Sequence, residues 1–303
     1  MKRLLGLLFP LVTFGTAALS AQHADADLHL MTFNIRYGTA DDGVNSWANR
    51  QALVAGIIER HSPGVLAVQE ALAFQLQDLA DALGGYRKLG QHRDGGLEGE
   101  FSGLYVHESR VRVVEWGEFW LSPTPDIQGS VGWDAALTRM AVWADLEVLG
   151  SGKMVRVYGT HFDHRGEKAR LESARLIIRH AEARYAQNRS ATIVMGDLNA
   201  DESSEPFGVF LEAGYKSAYS ELNPGLETGT FNGFHDSGGG SRIDHILLGR
   251  GATPLRSQIL QDQIRGVWPS DHYPVAAVVS LDPSGILRSR GPGGGVRSPA
   301  SER

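Results

Sequence analysis

The sequence predicts an α/β layered domain whose sheets are mixed or antiparallel. Short apolar runs of strand character alternate with longer stretches of helical periodicity. The strand-rich stretches are mixed among the helices rather than strictly alternating with them, which argues against an all-parallel sheet. Hydrophobic residues make up 42% of the 303, enough for one substantial core, and no second core is evident, so a single domain is expected.

The elements follow in order. Residues 28–34 form the first apolar run and read as a strand, and 47–60 then carries helical spacing. Residues 65–69 are almost wholly apolar, as a strand covered on both faces would be, and 74–83 reads as the second helix. Strands are expected at 103–107, 111–121, 139–149 and 155–162. The long helix 167–187 sets Leu171, Ala174, Ile178 and Ala181 on one face with arginine and glutamate elsewhere. A strand at 192–195, a helix at 206–213 and strands at 243–248 and 274–281 complete the pattern. The segment 84–103 and the Gly-rich stretch 228–241 read as loops, the latter mobile.

The ends have their own signatures. Lys2 and Arg3 precede the apolar run 4–19, and small and polar residues follow, which is the layout of a secretory signal peptide over 1–26. Ala24-Asp25-Ala26 offers a cleavage site, with Ser20 or Ala21 as earlier ones. The run is shorter than the ~20 residues a membrane span needs, so a periplasmic or secreted protein without stable membrane insertion after cleavage is expected. Residues 27–282 would form the mature domain, and 283–303, rich in Gly, Pro, Ser and Arg, would be disordered. The absence of cysteine excludes disulfides and thiolate metal sites. The net charge of −6 and the lack of any basic block confine nucleic-acid contact to a local, metal-assisted one.

Several apolar runs end abruptly in an acid, amide or histidine. Residues 30–33 end in Asn34, 65–69 in Glu70, 157–160 in His161, and 193–196 in Asp197 with Asn199 two residues on; Asp244 interrupts the run 243–248, and Ser270-Asp271-His272 precedes the last strand. Polar groups repeatedly placed at strand ends imply one shared, acidic sheet edge. Such an edge repels itself unless a cation sits in it, and oxygen donors without thiolate favour Mg²⁺, with Mn²⁺ or Ca²⁺ as alternatives. Each signal alone also has a plainer reading: Asn34 as a turn residue, Gly196-Asp197-Leu198-Asn199 as an Asx-turn, Asp271 as a loop cap.

In their joint order, Thr32-Phe33-Asn34, Val68-Gln69-Glu70, Thr160-His161-Phe162-Asp163, Gly196-Asp197-Leu198-Asn199-Ala200, Arg242-Ile243-Asp244-His245-Ile246 and Ser270-Asp271-His272-Tyr273-Pro274 resemble the endonuclease/exonuclease/phosphatase superfamily over 28–281. The stretch 119–125, continuing through Gly132-Trp133-Asp134 to Thr138-Arg139, resembles a bacterial branch related to deadenylase and nocturnin-like members.

This resemblance implies a four-layer αββα sandwich of two mixed, mainly antiparallel sheets with the active site at one end. It implies Glu70 as the main metal ligand, helped by Asn34 and Asp271. Asp197 would orient and deprotonate the attacking water with Asn199 in support. His272 would contact the scissile phosphate with Asp244 fixing its tautomer, and His161 would bond the phosphate or the departing oxygen.

A base with an unperturbed pKa of about 3.9 needs its acidic surroundings to raise it. Arg36, Asp163, His164 and Arg139 are candidates for substrate contact, with a helix-capping loop as the plainer reading of Asp163. Trp47, Trp120 and Trp143 read as packing residues. The expected activity is hydrolysis of a phosphodiester by a monomeric, Mg²⁺-dependent enzyme, with nucleic acid, RNA or a single strand favoured as substrate. The alternative is a phosphatase or lipid phosphodiesterase acting on a small phosphorylated head group.

Overall fold

The computed structural model describes residues 27–235 and 240–282; the expected leader and tail lie outside the described residues. The chain runs β1 (Leu28–Asn34), α1 (Trp47–His61), β2 (Val65–Ala71), α2 (Ala73–Ala82), β3 (Tyr86–Leu89), β4 (Phe101–His107), β5 (Val111–Trp120), β6 (Met140–Val148), β7 (Met154–His161), α3 (Glu167–Gln187), β8 (Ala191–Asp197), α4 (Glu205–Glu212), β9 (Lys216–Ser217), α5 (Ala218–Leu222), β10 (Asp244–Leu248), β11 (Ala252–Ile259) and β12 (Val275–Leu281). Two six-stranded sheets result, one in the order β11-β12-β1-β2-β4-β3 and the other β5-β6-β7-β8-β10-β9. Among the described residues only β1 with β2 and β7 with β8 pair in parallel, each joined by a crossover carrying a helix. The sheets are mixed and mainly antiparallel, as the sequence predicts.

Strand alternation builds the layers. On β1, Leu28 and Leu30 enter the core between the sheets together with Val142 and Ile193, while Met31 and Phe33 face Val54, Ile58 and Leu76 of α1 and α2. On the far side, Tyr158 and Val194 of the second sheet meet Ala174, Ile178 and Ala181 of α3 and Phe207 and Phe210 of α4. These three apolar layers make an αββα sandwich, and the face read for α3 is the buried one apart from half-buried Leu171.

Four elements differ from the sequence reading. The 84–103 segment, expected as a loop, holds β3 and the start of β4. β9 and α5 are too short for a period, and β11 is an edge strand carrying Pro254 beside a register shift, with most side chains half-buried or exposed. Part of the Gly-rich stretch is pinned: Phe231 bridges His272, and Tyr273 N–H donates to Thr230 O at 2.7 Å.

One half-buried ring gives the fold a pH dependence. His180 packs among Phe119, Trp143 and Tyr158, its Nδ1 2.9 Å from the Tyr158 hydroxyl. Burial, with Arg184 and Arg156 nearby, pushes its pKa down to about 4. The unfolded ring takes its proton at about 6.5, so this contribution is complete above pH ~6.5 and is lost as pH falls toward 4. Thermal melts from pH 7 to 4 are expected to show a steeper fall in Tm for the parent than for His180→Gln; parallel slopes would remove this role.

Candidate active site

The topology gathers the strand-end motifs. β1 and β2 end at the same edge, and so do β7 and β8; β10 and β12 start from it, with Asp244 opposite Asp197 and Val275 opposite Thr32. The antiparallel partners β4 and β6 also begin there, immediately after Glu100 and Arg139. The first sheet therefore presents His272, Asn34, Glu70 and Glu100 in a row, ahead of or at the ends of β12, β1, β2 and β4. The second presents Asp244, Asp197, His161 and Arg139 on β10, β8, β7 and ahead of β6. Contacts between the rows follow this order: Asp244 Oδ2 lies 2.8 Å from His272 Nδ1, and Asn34 Nδ2 donates to Asp197 Oδ2 at 2.9 Å. Oxygen atoms of Glu70 and Asp197 and a ring nitrogen of His161 lie within 4.8 Å of one another.

Local backbone geometry aims these groups. Glu70 has φ 63° where the β2–β4 register shifts between Val68 and Ala71, a bulge that turns its carboxylate out of the strand. Its oxygens accept from Asn34 Nδ2 at 2.9 Å and Tyr37 N–H at 3.2 Å. Asn199 has φ 46°, a conformation asparagine tolerates, donating N–H to Asp197 Oδ1 at 2.9 Å and Nδ2 to Phe162 O at 3.0 Å. Gly196 has no substitute, because a Cβ there would fall 2.0 Å from Thr160 O on β7. Thr230 Oγ1 accepts the N–H groups of Ile243 and Asp244, both at 3.0 Å, fixing the start of β10.

The electrostatics separate the four central groups. Asp197 is pushed up to about 7 by burial and then by the Asp244 charge, against the opposing pull of His272 and the Asn34 and Asn199 hydrogen bonds. Burial acts to lower His272, but the Asp244, Asp197 and Asp271 carboxylates outweigh it and hold the ring well above its ordinary value. His161 is driven well below its ordinary value by burial, then by Arg139 and Arg93. Asp271 is raised by burial and by Glu70, despite His272, Arg36 and Arg50.

A cleft of about 540 Å³ opens over these groups, walled by Arg36, Tyr37, Glu100, Arg139, His164 and Phe231. Arg36 pairs with Asp42 at 3.2 Å and Asp271 at 3.5 Å. Its backbone is set by fully buried Arg50, which donates to Arg36 O at 3.0 Å, Pro269 O at 3.1 Å, Asn45 O at 2.8 Å and Ile35 O, tying the loops after β1 and before β12 together. Arg139, with a side chain 5% exposed, lies 3.6 Å from Asp163 and 3.2 Å from His164 Nδ1, and its Nε and one terminal nitrogen have no hydrogen-bond partner among the described residues.

The defining pattern of the Endonuclease/Exonuclease/phosphatase family matches residues 31–272, most of the chain. The chain belongs to this family. Its similarity to solved structures spans 84% of its length in each comparison. The mannosyl-6-phosphatase Bt3783 of Bacteroides thetaiotaomicron shares 32% identity over all of that chain with a TM-score of 0.78. The endonuclease/exonuclease/phosphatase of Bacteroides vulgatus shares 32% over 99% of its chain, TM-score 0.78. The human nocturnin catalytic domain shares 18% over 94%, TM-score 0.68, a likeness of fold alone. No curated protein matches. Members of the family are metal-dependent hydrolases of phosphoester bonds, and this chain is one of them.

Within this family framework the structure brings Asn34, Glu70, His161, Asp197, Asn199, Asp244, Asp271 and His272 to one edge. Arg36, Arg139 and His164 reach the cleft. Asp163 does not: it is 1% exposed, and its oxygens accept backbone N–H from Arg165, Gly166 and Leu137 at 2.7–3.1 Å, which is the loop-capping arrangement ahead of α3. Asn34 directs Nδ2 at two carboxylates while Oδ1 accepts Arg36 N–H at 3.0 Å, so the amide positions both carboxylates and keeps a second lone pair on Oδ1. Sequence reasoning missed Glu100, Arg93 and Phe231, which sit in Gly-rich stretches with no strand or helix period, and the only signal was the local charge and the aromatic itself.

Proposed function

We propose that the chain hydrolyses a phosphate monoester on a small, polar, sugar-like group, assisted by a divalent cation for which Mg²⁺ is the first choice. The donor set fits a hard cation: Glu70 and Asp197 share the single amide of Asn34, Asp271 lies close enough to Glu70 for their charges to interact, and His161 adds a nitrogen. Glu70 would hold the cation with Asp271 and Asp197 beside it. When bound, such a cation neutralises charge on the phosphoryl oxygens and acts as a Lewis acid.

The chain's own groups supply the remaining work. Asp197, poised near neutrality, takes a proton from the attacking water as its oxygen closes on phosphorus. His272 keeps Nδ1 on Asp244 and turns its other nitrogen, as a cation, to the phosphate. Arg36 and Arg139 add fixed positive charge, and the ester oxygen departs as the opposite bond to phosphorus breaks.

The observation that carries the monoester reading is the convergence of Arg36, Arg139 and His272 on one confined cleft beside Asp197. A monoester dianion needs this concentrated charge, whereas a polymer needs phosphate contacts spread along a track. The chain carries 29 basic against 35 acidic residues and offers no basic block for such a track. The similarity to a mannosyl-6-phosphatase at 32% identity supports the sugar-like group, while the likeness to nocturnin, at 18% identity, is one of fold alone.

Purified protein with Mg²⁺, Mn²⁺ or Ca²⁺ is expected to release phosphate from mannose 6-phosphate and p-nitrophenyl phosphate, to leave bis-p-nitrophenyl phosphate and single-stranded RNA largely intact, and to stop in EDTA. RNA cleavage without monoester hydrolysis would replace this reading with the nuclease one. Activity that survives chelation would remove the cation.

A further inference from the structure

Glu100 stands at the end of the row His272, Asn34, Glu70, Glu100, and its carboxylate lines the cleft. Nothing in the phosphate chemistry requires it there, since Arg36, Arg139 and His272 already supply the charge that faces a phosphate. It is nonetheless built with care. Arg93 clamps Oε2 at 2.6 Å, and no other hydrogen bond to this carboxylate is made among the described residues. The hairpin that carries the pair is closed by the His92–Phe101 and Gly95–Glu98 bridges, by Arg93 N–H donating to Glu100 O at 2.9 Å, and by His92 Nδ1 at 2.9 Å from Gly99 O. Buried Trp120 locks it by donating its indole N–H to Arg93 O at 2.7 Å. A half-buried ion pair returns little stability for its desolvation, so such rigid placement at a cleft wall points to a ligand. The Arg93 charge already balances Glu100, which leaves little to attract a second cation.

At the other end of the row, Phe231 pairs with His272, its ring edge-on to the imidazole at 5.1 Å and 42% exposed toward the same cleft. Between the two lie β1 and β2, so with strands about 4.8 Å apart the span from β12 to β4 is about 14 Å. That is room for one phosphoryl group and one sugar ring. Arg139 and His164 sit on the facing row at the Glu100 end.

We infer that Glu100, held by Arg93, accepts hydrogen bonds from hydroxyl groups of the leaving group and thereby selects polyol phosphates over phosphate esters without hydroxyls. The inference rests on the monoester reading and names the group that reads the rest of the substrate. Its physical basis is general: a preset carboxylate accepts strong, directional bonds from alcohol O–H groups, and an ester lacking them leaves its desolvated oxygen unpaired.

Steady-state kinetics of Glu100→Ala and Glu100→Gln with mannose 6-phosphate and p-nitrophenyl phosphate test this. The expected result is a KM for the sugar ester raised about 10-fold or more in the alanine variant and less in the glutamine variant, with kcat little changed and both constants for the aryl ester within about twofold of the parent. Calorimetric binding of mannose 6-phosphate with Mg²⁺ in an Asp197→Asn background gives a second readout that needs no turnover. Weaker sugar-ester binding on adding Glu100→Ala, with inorganic phosphate affinity unchanged, supports the inference. A KM that rises equally for both esters would assign Glu100 a purely structural role through Arg93. Equal sugar-ester binding with and without Glu100, or none by the parent, would likewise overturn the inference. Failure to hydrolyse either ester, with sugar-ester binding intact and Glu100-dependent, would instead overturn the monoesterase reading and leave this one standing.

Discussion

Asp197→Asn is expected to lower kcat by about 10²- to 10⁴-fold, the range a positioned general base contributes. The carboxylate lies at the centre of the second row, 1% exposed, 2.9 Å from Asn34 Nδ2 and from Asn199 N–H. Burial and Asp244 raise it to about 7, which gives an aspartate the basicity that neutral-pH proton removal requires. The parent's kcat should therefore fall in acid as this carboxylate takes a proton, and the variant's residual rate should lack that fall.

Stability supplies a second readout. Because the folded carboxyl titrates at about 7 and the unfolded one at about 3.9, Asp197 lends stability below pH ~3.9 relative to its ionised state, and that contribution is lost as pH rises through about 7. The nearly isosteric amide removes the buried charge, so in EDTA at pH 8 Asp197→Asn should melt no lower than the parent. A kcat within a few-fold of the parent would transfer the base role elsewhere, and a large drop in Tm would make the kinetic loss a folding effect.

Much of this site is legible in the sequence because of how strands end. A buried strand must be apolar along its length, so a polar residue closing the run, such as Asn34, Glu70, His161 or Asp197, marks the point where the chain leaves the core. Which ends meet depends on strand order, and only the two parallel pairs and their antiparallel neighbours bring six separate motifs to one edge. The positive φ of Glu70 is invisible beforehand, since it arises from the bulge opposite β4.

Arg50 reads as a residue just after the first motif that could shape the substrate pocket, yet it is buried and binds four carbonyls, one of them Pro269 O from 219 residues away along the chain. The unanticipated strands β3, β9 and β11 are short or lie at sheet edges, where burial no longer imposes a pattern on the side chains. Glu100 and Phe231 were hidden for a related reason: a side chain that faces a cleft follows neither period.

The pair Asp244 and His272 is expected to act as one unit. Asp244 opens β10 with its N–H held by Thr230 Oγ1, and its Oδ2 meets His272 Nδ1 at 2.8 Å across the two sheets. Although the ring is 5% exposed and burial opposes its charge, three carboxylates hold it cationic at neutral pH. Asp244→Ala and His272→Ala should each lower kcat by about 10²- to 10³-fold, as the loss of one preorganised group facing the developing charge does. The double variant should fall only a few-fold below the worse single, because groups that act together are strongly non-additive.

Asp244→Asn separates charge from geometry. Without the carboxylate the imidazolium loses its main support, so the alkaline fall in kcat should set in at a lower pH than in the parent. His161 is the control: it ends β7, which β8 separates from β10, and it reaches Asp197 at 3.5 Å rather than this pair. Combining His161→Ala with Asp244→Ala should therefore come closer to additivity. Additive losses between Asp244 and His272, together with an unchanged pH profile for Asp244→Asn, would show that the 2.8 Å contact shapes the start of β10 and leaves the charge of His272 to other neighbours.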